Sequence, residues 1–273
     1  MKTFCEIFAG TLFAACAFFG LASPASAALS DRPSVDENDF PQNSWNGFKL
    51  DVFEVGGRKA VVISPKKPRA DKAWAIKPAW FLAFANAERE LLNRGFYIAF
   101  YDLSYTYASP EALKALDDFY ETCRSKYSLA KKVSLIGMSR GGLTSLMWAN
   151  KHPCKTACVY VDNPVCDSLS ISSAEWLDGL KKEWNICDLK GFKGSPIFNY
   201  QNLAKSKTPV LVVSAGKDEA VNYEKNEKIY VENFKKAGGD ITEIFRPENK
   251  HHPHGFSDPA IVADFIENAQ QCK

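Results

Sequence analysis

Past its first forty-odd residues, the chain alternates between two hydrophobic periods. Phe48 to Val55 and Arg58 to Ser64 place apolar residues at every second position around Gly56-Gly57, the signature of a β-hairpin. Trp74 to Ile76 predicts a short strand, followed by the loop Lys77-Pro78-Ala79-Trp80. Ala83 to Arg94 has helical spacing and stops at Gly95, and Phe96 to Leu103 is apolar apart from Asp102, as a strand buried on both faces should be. Ser109-Pro110 opens a helix to about Lys126, with proline at the first helical position. Val133 to Met138, Ala157 to Val161, Val210 to Ser214 and Ile241 to Phe245 are the remaining predicted strands. Helices are predicted from Leu143 to Asn150, Glu224 to Ala237 and Pro259 to Gln270. Two antiparallel strands followed by repeated strand–helix units predict an α/β protein, with a mostly parallel eight-stranded sheet and helices on both faces. The irregular stretch from about 165 to 207 interrupts the alternation and is too long for an ordinary connection, so it is expected to form a small cap insertion.

The N-terminus departs from this pattern. Lys2 precedes an apolar run from Ile7 to Leu21, and Ala25-Ser26-Ala27 supplies small residues for a signal peptidase. The run is short for a bilayer span. Residues 1–27 are therefore expected to be a signal peptide, 28–47 an extended lead-in, and 48–273 the folded α/β domain, secreted or periplasmic with no membrane insertion after cleavage. Export leaves six cysteines: Cys123, Cys154, Cys158, Cys166, Cys187 and Cys272. An even number in an oxidising compartment predicts disulfides, of undetermined connectivity. Lys plus Arg number 34 against 32 Asp plus Glu, a net charge of +2 with no block of one sign, so nothing in the charge pattern points to nucleic acid.

The chemistry centres on Gly137-Met138-Ser139-Arg140-Gly141, a G-x-S-x-G motif between a predicted strand and a predicted helix. A sharp turn there projects the Ser139 hydroxyl at the sheet's carboxyl edge, and the following helix directs its positive end at the site. A hydroxyl is a weak nucleophile and needs a base and an orienting carboxylate. Asp218 follows the strand Val210 to Ser214 and is the expected acid; Asp162, after the preceding strand, is its rival. Of four histidines, His152 precedes the candidate acid, leaving His251, His252 and His254 after the last strand. His251 is the expected base and His254 the alternative. Three close histidines also suit a metal, but no second ligand cluster accompanies them in the sequence, and neither metal nor organic cofactor is expected. The oxyanion hole is expected to use the backbone N–H of Arg140 and that of Ala79 or Trp80, since Pro78 has none. The Arg140 side chain suits either a substrate carboxylate or a salt bridge that fixes the elbow. Trp176, Trp184, Tyr105 and Tyr107 are candidates for an aromatic wall.

Leu91-Leu92-Asn93-Arg94-Gly95-Phe96, the GMSRGG stretch from Gly137 to Gly142, DNPVCD from Asp162 to Asp167, and HHPH from His251 to His254 carry a resemblance. The chain resembles exported bacterial α/β-hydrolases, loosely related to dienelactone hydrolases and prolyl oligopeptidase catalytic domains. It shares with glucuronoyl esterases only the Ser139-Arg140 pair. The departures are Asn222, where proline is frequent, and the absence of a His-Gly oxyanion loop. The resemblance implies the α/β-hydrolase fold and an esterase acting on a small-molecule or carbohydrate ester. The alternatives are a serine peptidase of the same fold and a non-catalytic binding protein that keeps the fold. The oligomeric state is not legible.

Overall fold

The computed structural model of the protein describes residues 43–271. The expected signal peptide, most of the lead-in and Cys272 lie outside the described residues. Among the described residues, nine strands form one sheet: β1 (Ser44–Trp45), β2 (Phe48–Val55), β3 (Arg58–Ser64), β4 (Trp74–Lys77), β5 (Tyr97–Tyr101), β6 (Val133–Met138), β7 (Thr156–Asp162), β8 (Val210–Ala215) and β9 (Ile241–Arg246). Their spatial order is β1-β2-β3-β5-β4-β6-β7-β8-β9. β1 to β3 are antiparallel, as is β3 against β5, and every pair from β5 to β9 is parallel. The architecture is that of the α/β-hydrolase fold.

One strand more than the eight expected comes from the lead-in. Asn46 and Gly47 both have positive φ, at 48° and 76°, and turn the chain so that Ser44 and Trp45 pair with Lys49 and Phe48. An Asn-Gly pair is the strongest short hairpin signal there is, and here it extends the sheet's edge.

The alternation of side chains across the buried strands divides the core into two layers. Trp74, Ile76, Val159 and Val161 face one side, where they meet α2 (Pro110–Tyr127) and α3 (Arg140–Lys151) through Leu116, Phe119, Leu143 and Leu146. Ala75, Cys158 and Tyr160 face the other, against Leu91 and Leu92 of α1 (Asn86–Asn93) and Val262 and Ile266 of α7 (Ala260–Gln271). Ser109 caps α2 by accepting from the Ala112 N–H at 3.1 Å, with Pro110 at the first position. α1 begins three residues later than its periodicity predicts. Trp80, Leu82 and Phe84 all adopt left-handed φ, at 59°, 59° and 50°, which holds off regular helix until Asn86.

Between β7 and β8 lie a 3-10 turn (Ser168–Ser170), α4 (Ala174–Trp184) and α5 (Gln201–Lys205). α6 (Glu227–Lys236) precedes β9. No helix among the described residues is long and apolar enough to cross a membrane.

The expected disulfides are not formed among the described residues. Cys123, Cys154, Cys158, Cys166 and Cys187 are all free thiols. Cys123 and Cys166 pack in one core layer while Cys158 packs in the other, across the sheet, and Cys154 and Cys187 are exposed. The three buried cysteines serve as small core residues. Cys158 sits 3.4 Å from Ser134 Oγ, and burial pushes its thiol up to about 12.

Candidate active site

β6 ends at Met138 and α3 begins at Arg140, so Ser139 alone makes the turn, with φ 52° and ψ −121°. Such a backbone persists only where its surroundings over-determine it. Ser139 N–H donates to Asp162 O at 3.0 Å, and Ser139 O accepts from Gly142 N–H at 3.0 Å and Val165 N–H at 3.1 Å. Close approach explains the flanking glycines. A Cβ on Gly137 would lie 2.7 Å from the Cα of Gly142, and one on Gly142 would lie 2.4 Å from Pro164 Cβ.

Asp218 sits just beyond β8, with its two carboxylate oxygens in different roles. Oδ1 accepts from the N–H groups of Ala220 at 2.8 Å and Val221 at 2.7 Å, which shapes its own turn. Oδ2 lies 2.6 Å from His251 Nδ1. The two loops are also tied through their backbones, since Gly216 N–H donates to Arg246 O and Lys217 N–H to Asn249 O, each at 2.9 Å. Asn163, which no motif marks in the sequence, donates through Nδ2 to His251 O at 3.0 Å and fixes that residue's backbone. His251 Nε2 then stands 3.0 Å from Ser139 Oγ. A carboxylate on Nδ1 favours the tautomer that carries its proton there, which leaves Nε2 as an acceptor facing the hydroxyl.

Asp162, the rival acid, is fully buried and serves a different imidazole. It accepts from His254 Nδ1 at 2.8 Å, Gly255 N–H at 2.9 Å and the Tyr160 hydroxyl at 3.1 Å, and pairs with Arg246 at 3.3 Å. Burial and the Asp162 charge raise the Tyr160 hydroxyl well above its ordinary value. His252 is exposed and stacks on Phe84, with ring centroids 5.6 Å apart.

Of the expected oxyanion donors, Arg140 stands at the first residue of α3, immediately after the serine. Trp80 commits its N–H groups elsewhere. Its backbone N–H donates to Ser104 Oγ and its indole N–H to Met138 O, each at 3.1 Å, so Trp80 is braced as a wall. Ala79 is buried, and a Cβ on Gly141 would lie 3.0 Å from its own Cβ. Lys77, the first residue of the expected oxyanion loop, anchors this strained segment. Its Nζ donates to Ala83 O at 2.6 Å and to Glu88 Oε1 at 2.5 Å, with both side chains buried.

Three of the four candidate aromatics converge on Arg140. Its guanidinium lies 4.5 Å from the Trp176 ring centroid, 4.9 Å from that of Tyr107 and 5.8 Å from that of Tyr105. Trp184 stands behind them, donating its indole N–H to Tyr107 O at 2.9 Å. The pocket in front of Ser139 encloses about 530 Å³. Trp80, Phe84, Met138, Ile171, Trp176 and Val221 make it largely apolar; Arg140, Ser173 and the three histidines supply its polar groups, and no carboxylate is among its lining residues. Val165, Ile171, Ser173 and Trp176 come from the expected cap segment.

The sheet order and the strand–serine–helix elbow at its carboxyl edge define a serine hydrolase of the α/β-hydrolase fold. Within that class, the chain belongs to the prolyl oligopeptidase family, whose sequence model matches residues 108–269. No curated protein matches it by sequence. Among solved structures it is similar to the acylaminoacyl peptidase of Pyrococcus horikoshii, at 14% identity and TM-score 0.58, covering 82% of this chain and 40% of that one. The fluorophosphonate-binding serine hydrolase F of Staphylococcus aureus matches at 14% identity and TM-score 0.59, over 82% of this chain and 96% of that one. The S-formylglutathione hydrolase of Agrobacterium tumefaciens matches at 15% identity and TM-score 0.57, over 85% and 96%. The chain thus spans about two fifths of the acylaminoacyl peptidases it matches.

Proposed function

We propose that the protein hydrolyses carboxylic esters through an acyl-enzyme, with Ser139 as nucleophile, His251 as base and Asp218 as the orienting acid. The observation that carries this reading is the unbroken line from Asp218 Oδ2 to His251 Nδ1 at 2.6 Å and from His251 Nε2 to Ser139 Oγ at 3.0 Å. As Ser139 Oγ bonds to the ester carbonyl carbon, its proton passes to His251 Nε2, and Asp218 stabilises the imidazolium. The oxyanion forms beside the Arg140 N–H at the positive end of α3. Collapse breaks the bond to the alkoxy oxygen, which takes the proton from His251. Water, activated by the same imidazole, then releases the acid. This chemistry needs no metal or organic cofactor.

The apolar pocket supports an ester substrate. Recognition of a free peptide amino terminus calls for a carboxylate, and none lines the pocket. An acyl or aryl group, free or carried on a sugar, meets Trp80, Phe84, Trp176 and the Arg140 cation instead. The family match and the acylaminoacyl peptidase likeness favour amide cleavage as the second reading. The N-terminal pattern of charge, apolar run and small residues supports action outside the cytoplasm.

Labelling with a fluorophosphonate probe, absent in Ser139→Ala, tests for an active serine. An unlabelled wild-type protein would leave a binding module. Comparing acetylated, methyl-esterified and feruloylated sugars with peptide anilides then separates esterase from peptidase, and faster anilide cleavage would reject the ester reading.

A further inference from the structure

The loop between β9 and α7 holds more imidazole than the hydrolytic chemistry uses. His251, His252 and His254 each offer a ring nitrogen, and the three atoms lie within 4.8 Å of one another at the mouth of the Ser139 pocket. Two of these rings are already backed by carboxylates: His251 Nδ1 by Asp218 at 2.6 Å and His254 Nδ1 by Asp162 at 2.8 Å. A carboxylate on the far nitrogen is the outer-shell arrangement found behind metal-binding histidines, where it sets the tautomer and raises the basicity of the ligating nitrogen. Asp218 and Asp162 thus stand where such outer-shell partners would.

We propose that the three imidazoles form a binding site for a borderline divalent cation of the Zn²⁺ type, and that occupancy silences the serine. Nitrogen ligands suit such an ion, whereas Mg²⁺ demands oxygen. Tetrahedral zinc holds nitrogens at roughly 2.0–2.1 Å, which sets them about 3.4 Å apart, so the cluster must tighten from its present spacing. His252 supplies that freedom because it is exposed, while His251 and His254 stay anchored by their carboxylates. The fourth position falls to water. With Nδ1 of His251 committed to Asp218, the ion takes Nε2, the atom that otherwise faces Ser139 Oγ. No bond in the substrate changes. The ion displaces the serine's hydrogen bond and removes the proton acceptor, and a chelator restores it. The inhibitory part rests on the hydrolase reading proposed above; the binding part does not.

The test is calorimetric titration of the full chain with ZnCl₂, alongside ester turnover at the same free Zn²⁺. The result expected is one ion per chain, loss of turnover with the same midpoint, recovery with EDTA, and no effect of Mg²⁺. Losing an outer-shell partner alone weakens a metal site about 10–100-fold, so His252→Gln, which removes one of the three ligands, should weaken binding at least tenfold. Visible absorption of the Co²⁺-loaded protein should show tetrahedral coordination in the wild type and lose it in His252→Gln. Absence of binding at millimolar Zn²⁺, binding unaffected by His252→Gln, or a saturated enzyme still turning over at full rate would each overturn the proposal. If the protein cleaves no ester, calorimetry and the Co²⁺ spectrum still decide the site, which keeps its failure distinct from failure of the hydrolase reading.

Discussion

Asp162 holds His254 Nδ1 at 2.8 Å, and this pairing, made one strand away from Asp218, leaves His251 as the imidazole that reaches Ser139. The two carboxylates rise from neighbouring parallel strands, so a single loop carries two imidazole–carboxylate pairs side by side, with ring centroids of His251 and His254 4.9 Å apart. His251→Ala should therefore lower kcat/KM by about 10⁴-fold or more, the scale set by loss of a catalytic base. His254→Ala should leave much of the turnover. The reverse ranking in steady-state kinetics would move the base to His254.

Asp218→Asn separates orientation from shape. The amide retains an oxygen for the Ala220 and Val221 N–H groups, so the turn should survive. It can no longer stabilise the productive tautomer or the imidazolium, and kcat should drop by about 10⁴-fold with little change in melting temperature. A variant with near-normal kcat would argue that another carboxylate supports His251.

Lys77 and Glu88 form a buried pair beneath the strained loop that bears Trp80 and Phe84. Removing one charge strands the other, a loss of about 3–5 kcal/mol. Glu88→Ala should show this in urea unfolding, and Lys77→Met combined with Glu88→Leu should recover much of it, because an apolar pair of similar volume suits a dry site. If Glu88→Ala unfolds like the wild type, the pair contributes nothing measurable.

Glu227 opens α6 with both carboxylate oxygens buried and no hydrogen bond to another residue. Burial first, then the charges of Asp218, Glu243 and Asp162, raise its carboxyl well above the ordinary value. The folded state thus holds a proton that the unfolded chain releases near its usual pKa of about 4.3. The native contribution is complete below that value and is lost as pH rises through the folded pKa. Glu227→Gln should flatten this part of the stability–pH curve and raise the melting temperature at neutral pH. A variant with unchanged pH dependence would show that Glu227 is charged in the fold.

Local pattern alone determines the elbow and the run of buried strands, and it offers an aspartate after β8 as the acid. These follow from neighbours in the chain: a glycine-flanked serine between strand and helix, unbroken apolar runs, and an aspartate in the next carboxyl-edge turn. The ninth strand is equally local, written in Asn46-Gly47, although the polar lead-in before it predicts an extended segment. The tertiary structure decided matters that depend on distance through space. HHPH offers three chemically equal imidazoles, and they became different only when Asp218 and Asp162 arrived from separate strand ends. The Trp80 N–H, which the sequence offers as an oxyanion donor, is taken by Ser104 Oγ, twenty-four positions away. The even cysteine count suggested disulfides, but the sheet separates Cys158 from Cys123 and Cys166. Chain order sets which groups exist and what each can do, while packing sets which of them come within bonding reach, because hydrogen bonds fade over fractions of an ångström that no spacing in sequence encodes.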